Sequence, residues 1–176
     1  MITSSSRESG MSLIELMVAL MVGAIVLSIL VLVFANGLTT QRRATERNAA
    51  TAMLNATTAS ITESVRASVD TRVTESGQRL DAKVLAPDGV TWECRAWQIQ
   101  SGQLRYSSGA SARPAASGSW KSLGSGLSGN LASGAAFVRA GTQVSLGFTL
   151  TRGESTIRVT DGAVSLAVQS GGPSCW

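Results

Sequence analysis

The 176-residue sequence contains no histidine. That excludes Ser-His-Asp and Cys-His catalysis and removes the commonest protein metal ligand. No nucleophile motif and no paired-carboxylate pattern takes their place, so the chain does not read as an enzyme. Cysteine is nearly as scarce: Cys94 and Cys175 lie too far apart in sequence for a local metal knuckle. No metal and no cofactor is expected. Aromatic residues make up only 5 % of the chain, and Trp97 and Tyr106 suit cross-strand packing better than a ligand site. A strong charge of one sign is also missing. Of 15 Lys/Arg and 11 Asp/Glu, only Arg7, Glu8 and Glu15 precede Asn36, leaving 14 against 9 beyond it. That surplus is compatible with an anionic polymer as a partner, but the basic stripe that nucleic-acid binding needs is not visible.

What the chain does have is one long hydrophobic run. From Met11 to Ala35 almost every residue is apolar, and the rest is rich in Ser, Thr, Gly and Ala. About 25 residues at 1.5 Å each span roughly 37 Å, enough to cross a bilayer core with some tilt. A secretory signal has a shorter apolar core and a small-x-small site on its far side, which Phe34-Ala35-Asn36-Gly37 does not supply. The segment therefore reads as a retained anchor, preceded by the polar stretch Met1–Gly10.

Glu15 is out of place in a mere anchor. A carboxylate costs about 2.5–3.5 kcal/mol at the centre of a membrane helix and less near its end. If the chain is cut after Gly10, the new ammonium of Met11 lies four residues before Glu15, one helical turn away and on the same side. Neutralisation then takes place within one subunit, or between Glu15 and the amine of a neighbour, which would fix the axial register of packed helices. The alternative is a carboxylate idle at headgroup level.

Gly10-Met11-Ser12-Leu13-Ile14-Glu15 followed by an apolar run resembles the prepilin cleavage and methylation motif of type IV pilins and type II secretion pseudopilins. The resemblance covers about residues 7–37 and the general layout of the rest. It departs from the family at Met11, where most members have Phe, and in a leader whose Arg7 is offset by Glu8. It implies cleavage between Gly10 and Met11 by a prepilin peptidase, N-methylation of Met11, and assembly through the N-terminal helices with other subunits on an inner-membrane platform. It also implies a single-pass inner-membrane protein with an extracytoplasmic C-terminal part that later joins a filament or the cell surface. In such an exported protein Cys94 and Cys175 read as one disulfide, closing a loop of about 80 residues worth about 4 kcal/mol in the chain-entropy model; two free thiols are the alternative.

The expected fold class is α+β: a long N-terminal helix, half membrane-spanning and half soluble, packed on a small antiparallel sheet. Its parts are a leader (1–10), a transmembrane or filament-core helix (11–36), a helical stem (37–75) and a β-rich part (76–176). Helix is expected to about Val73, with Leu54, Ile61, Val65 and Val69 as its apolar stripe. Gly23 and Gly37 are places where it could bend or melt. Strand alternation runs through Val144, Leu146, Phe148 and Leu150, through Ile157 and Val159, and through Val164, Leu166 and Val168. Asp161-Gly162 signals a hairpin pairing Val159 with Val164 and Ile157 with Leu166. A turn at Arg152-Gly153 would pair Leu146 with Val159 and Phe148 with Ile157. A turn at Ser101-Gly102 would pair Ile99 with Leu104 and Trp97 with Tyr106, leaving Cys94 on the opposite face. Residues 107–136, dominated by Ser, Gly and Ala, read as a long exposed loop with a short strand near Trp120–Leu123; it is either a contact surface or a silent insertion.

The functional expectation is a minor pilin or pseudopilin that primes or caps a filament. The alternatives are a major pilin, or a pilus-tip binding module for adhesion or DNA uptake.

Overall fold

The computed structural model describes residues 12–86, 88–153, 155–167 and 171–176. The chain divides into two units, 1–46 and 47–176. Among the described residues one helix, α1 (Leu13–Arg66), supplies all the regular structure of the first unit and the opening segment of the second. It stays helical through Gly23 and Gly37, where an added Cβ would meet nothing within 4 Å.

Helix α1 ends earlier than expected. The Ala67 N–H closes the last turn on Glu63 O at 3.0 Å, and the Ser68 hydroxyl donates to Val65 O at 2.6 Å. The following residues, Ser-Val-Asp-Thr-Arg-Val-Thr, form strand β1 (Ser68–Thr74) instead of further helix. Alternating β-branched residues favour the pleated backbone. The stripe thus consists of Leu54, Ile61 and Val65, all fully buried, while Val69 and Val73 belong to the sheet.

Sheet A has the order β1-β2-β3-β4-β5, with β2 at Arg79–Leu85, β3 at Trp92–Gln100, β4 at Gln103–Gly109 and β5 at Lys121–Ser125. All its pairings are antiparallel. The β3–β4 hairpin has the expected register, Ile99 opposite Leu104 and Trp97 opposite Tyr106. Ser101 (φ 50°) and Gly102 (φ 72°) both have positive φ, the requirement of a type I′ turn. The Trp97 and Tyr106 rings lie 5.3 Å apart.

Sheet B is built on β8 (Gln143–Arg152). Strands β6 (Leu127–Gly129) and β7 (Phe137–Ala140) share one edge of it, and β9 (Ser155–Val164) runs along the other. Here two expected turns are corrected. The β8–β9 register places Leu146 opposite Asp161, Phe148 opposite Val159 and Leu150 opposite Ile157. That is a two-residue slip from the expected pairing, so Leu146, Phe148, Leu150, Ile157 and Val159 keep their common face. Asp161-Gly162 is not a turn: both residues continue β9, and Val144 pairs with Ala163. The ten-residue ladder to β8 outweighs a local turn preference, since folding back at Asp161-Gly162 would strip β8 of four of its ten paired residues. Val164 and Leu166 are therefore exposed, at 44 % and 68 %, and Val168 lies outside the described residues.

The second unit has one main core. Leu54, Ile61 and Val65 of α1 meet Leu80, Trp97 and Leu104 of sheet A and Phe137, Leu146 and Phe148 of sheet B. Phe137 and Phe148 pack edge to face, 5.6 Å between centroids. Fully burying each such side chain contributes about 1.5–3 kcal/mol.

Residues 107–136 are not one exposed loop. They complete β4, form β5 and β6, and bury Trp120, Leu127, Ala135 and Ala136. Small residues permit close approach both in this segment and beneath it. At Gly129 an added Cβ would sit 2.2 Å from Gly134 O, and at Gly147 of β8 it would sit 2.1 Å from Asn130 Oδ1 and 2.6 Å from Leu131, because that segment crosses directly over β8.

Candidate functional site

The N-terminal end of α1 is the first candidate. The Ser12 carbonyl accepts from the N–H groups of Glu15 (3.0 Å) and Leu16 (3.2 Å), which starts the helix there. Glu15 stands in the first turn, where its negative charge also complements the helix dipole. From Leu13 to Leu38 every large apolar side chain is exposed, on all sides of the helix. Among the described residues this is the single helix long and apolar enough to span a bilayer, and none of its most apolar window is buried. An all-round apolar surface needs lipid or other helices for company. Gly10 and Met11, the expected cleavage and methylation positions, lie outside the described residues.

The second candidate is the outer face of sheet A. Residues Asp70, Arg72, Arg79, Asp81, Lys83 and Cys94 share it by register. Arg79 grips Asp81 in a bidentate pair, Nε to Oδ2 at 2.9 Å and Nη2 to Oδ1 at 2.7 Å, with both side chains at or below 10 % exposure. The same guanidinium donates to Pro114 O (2.9 Å) and Arg113 O (2.8 Å) and lies 5.4 Å from the Trp120 ring centre. Trp120 and Ala116 pack on Ala96 as a small second core. The segment over this face is thus tied down by a buried, fully employed arginine. Sequence reasoning missed this cluster. Its signal was an Arg and an Asp two residues apart in a strand, hence on one face.

Cys94 and Cys175 are joined as a disulfide with Cα atoms 5.4 Å apart, across a sequence separation of 81. Both residues are buried, and Cys94 faces away from Trp97. Two open cavities of about 420 and 260 Å³ flank the bond, and Cys175 and Trp176 form part of the wall of each. Among the described residues no group of three or more metal-ligating side chains occurs.

Two carboxylates are shifted. Asp88, in the β2–β3 connection, is held below its ordinary value by the Thr91 hydroxyl and by the N–H groups of Thr91 and Val90. For Glu93, partial burial pushes the pKa up, but hydrogen bonds from Ser108 and Arg95 and the Arg95 charge outweigh it, so the net shift is downward. Neither group lines the cavities beside the disulfide.

Residues 5–31 match the family model described as the prokaryotic N-terminal methylation motif. The match contains Gly10, Met11 and Glu15, the positions on which the resemblance to the type IV pilin and pseudopilin motif rests. It covers the N-terminal segment and none of the sheets. No curated protein and no solved structure matches the chain.

Proposed function

We propose that this chain is a filament subunit, a minor pilin or pseudopilin that takes part in assembling, priming or capping a type IV pilus or a type II secretion pseudopilus. A single combination carries the reading: the methylation motif at 5–31 takes in the start of a helix that is apolar on all sides as far as Leu38, with a carboxylate in its first turn. In this reading prepilin peptidase cuts between Gly10 and Met11, and Met11 is N-methylated. The apolar helix holds the subunit in the inner membrane with the sheets on the extracytoplasmic side. On assembly it exchanges lipid for the helices of other subunits.

The work of Glu15 is electrostatic. Once Met11 bears the N-terminal ammonium, the carboxylate lies one turn away from it and equally within reach of a neighbouring subunit's ammonium. In a low-dielectric bundle an unmet carboxylate is costly, so a subunit displaced axially from its partner charge is penalised. Glu15→Ala should leave membrane insertion intact and lower the amount of chain recovered in sheared filaments. Gly10→Val should leave the full-length form accumulating in the membrane. Undiminished filament incorporation of Glu15→Ala would defeat the register role.

The minor-subunit assignment separates from the major one by abundance, since a principal component of purified filaments is by definition not minor. For a DNA-binding role the arginines of the sheets divide: Arg79, Arg95, Arg105 and Arg139 are engaged in hydrogen bonds within the chain, whereas Arg72, Arg152 and Arg158 are exposed. A salt-sensitive gel shift of the chain with DNA would be needed to favour that role.

A further inference from the structure

Residues 171–176 lie against the outer face of sheet A, yet among the described residues no hydrogen bond joins them to it. The Ser174 hydroxyl donates to Trp176 O, inside the segment itself. Two of its attachments stand out. The Cys175–Cys94 bond is one. The other is the backbone of Gly172, seated so close on the Trp92 indole that an added Cβ would come within 2.4 Å of the ring. Strands β2 and β3 beneath are complete without this segment, with seven consecutive paired residues from Arg79–Gln98 to Leu85–Trp92.

We infer that the disulfide is a one-way latch: the sheets fold first, and oxidation then fastens residues 171–176 over the Lys83–Cys94 part of the face, beside the part that Pro114 and Trp120 already cover. Until the segment arrives, Cys94 stands on the outward side of β3. Once it is down, Cys94 is 1 % and Cys175 3 % exposed, and an attacking thiolate cannot reach either sulfur without first lifting the segment. Closing the latch takes two protons and two electrons from the two thiols. A disulfide-bearing oxidant, protein or small molecule, accepts them and leaves as a dithiol or thiol pair. The export assigned above supplies such an oxidant, and nothing else in the inference rests on that assignment.

The test uses the purified full-length chain in detergent, so its outcome is independent of filament assembly. In Cys175→Ser the amides of β2 and β3 should keep their exchange protection. Iodoacetamide should alkylate Cys94 within about tenfold of its rate in the denatured chain, as expected of an uncovered thiol. In the wild type, dithiothreitol should leave the bond intact under native conditions and cleave it readily in denaturant, and oxidised glutathione should close it again after refolding. Three results would each overturn the latch. One is lost protection in the variant, because the bond then holds the sheets themselves. The second is a Cys94 that stays shielded, because the segment then seats without the bond. The third is native reduction as fast as denatured reduction.

Discussion

The two ends of α1 carry very different amounts of apolar surface and put it to opposite uses. Between Leu13 and Leu38 apolar side chains surround the helix and all are exposed; between Ala50 and Val65 they form a stripe, and the stripe is buried in the chain's own core. The difference lies in both amount and arrangement: residues 13–35 are almost all apolar, whereas 50–65 is mostly Ala, Thr and Ser around Leu54, Ile61 and Val65. A stripe one face wide can be satisfied by a sheet, whereas a helix apolar on every side cannot be covered by a domain this small. The first half therefore depends on other molecules and the second on its own fold.

Substitutions can break that contrast. Leu54→Ala removes a fully buried side chain and should lower the unfolding free energy by about 4 kcal/mol, measured by denaturant titration in detergent. Leu27→Ala, at a position 63 % exposed, should leave the same transition within about 0.5 kcal/mol of wild type. Equal effects would erase the distinction between the two ends. Next in size is Asp81→Ala, which strands the buried Arg79 guanidinium. It should cost about 3 kcal/mol and raise the exposure of Trp120, read by fluorescence quenching. Retention of both stability and Trp120 burial would mean that the two carbonyl acceptors alone suffice for Arg79.

The smallest expected effect is on pH dependence, and it too belongs only to the second unit. Asp88 and Glu93 have folded pKa values below their unfolded ones. Their contribution is fully present above the unfolded values and is lost as pH falls through the folded ones. The melting temperature should hold steady from pH 7 to about 5 and decline below about 4. Glu93→Gln should flatten part of that decline, and an unchanged slope would remove Glu93 as a contributor.

The sequence made this contrast readable to different depths. The apolar run, Glu15 and the Ser101-Gly102 hairpin are local signals, and each stands where local chemistry put it. The alternation of Val144 to Leu150 gave the correct buried face, while the register of its partner depended on where the turn closed, which alternation alone does not fix. Asp161-Gly162 misled because turn propensity is local and a ten-residue ladder is not. Residues 107–136 misled because Gly, Ser and Ala signify loops when exposed but close approach when buried. Gly129 is the clearest case: an added Cβ would sit 2.2 Å from Gly134 O. The Arg79–Trp120 cluster joins parts of the chain some forty residues apart and had no local signature beyond one Arg-x-Asp.

The most direct measurement of the proposed function is the intact mass of the chain isolated from membranes with and without an active prepilin peptidase. A filament subunit of this kind loses residues 1–10 and gains one N-methyl group on Met11 when the peptidase is present, and keeps its full length when it is absent. A chain that retains residues 1–10 beside an active peptidase, or is cut at another bond, would contradict it.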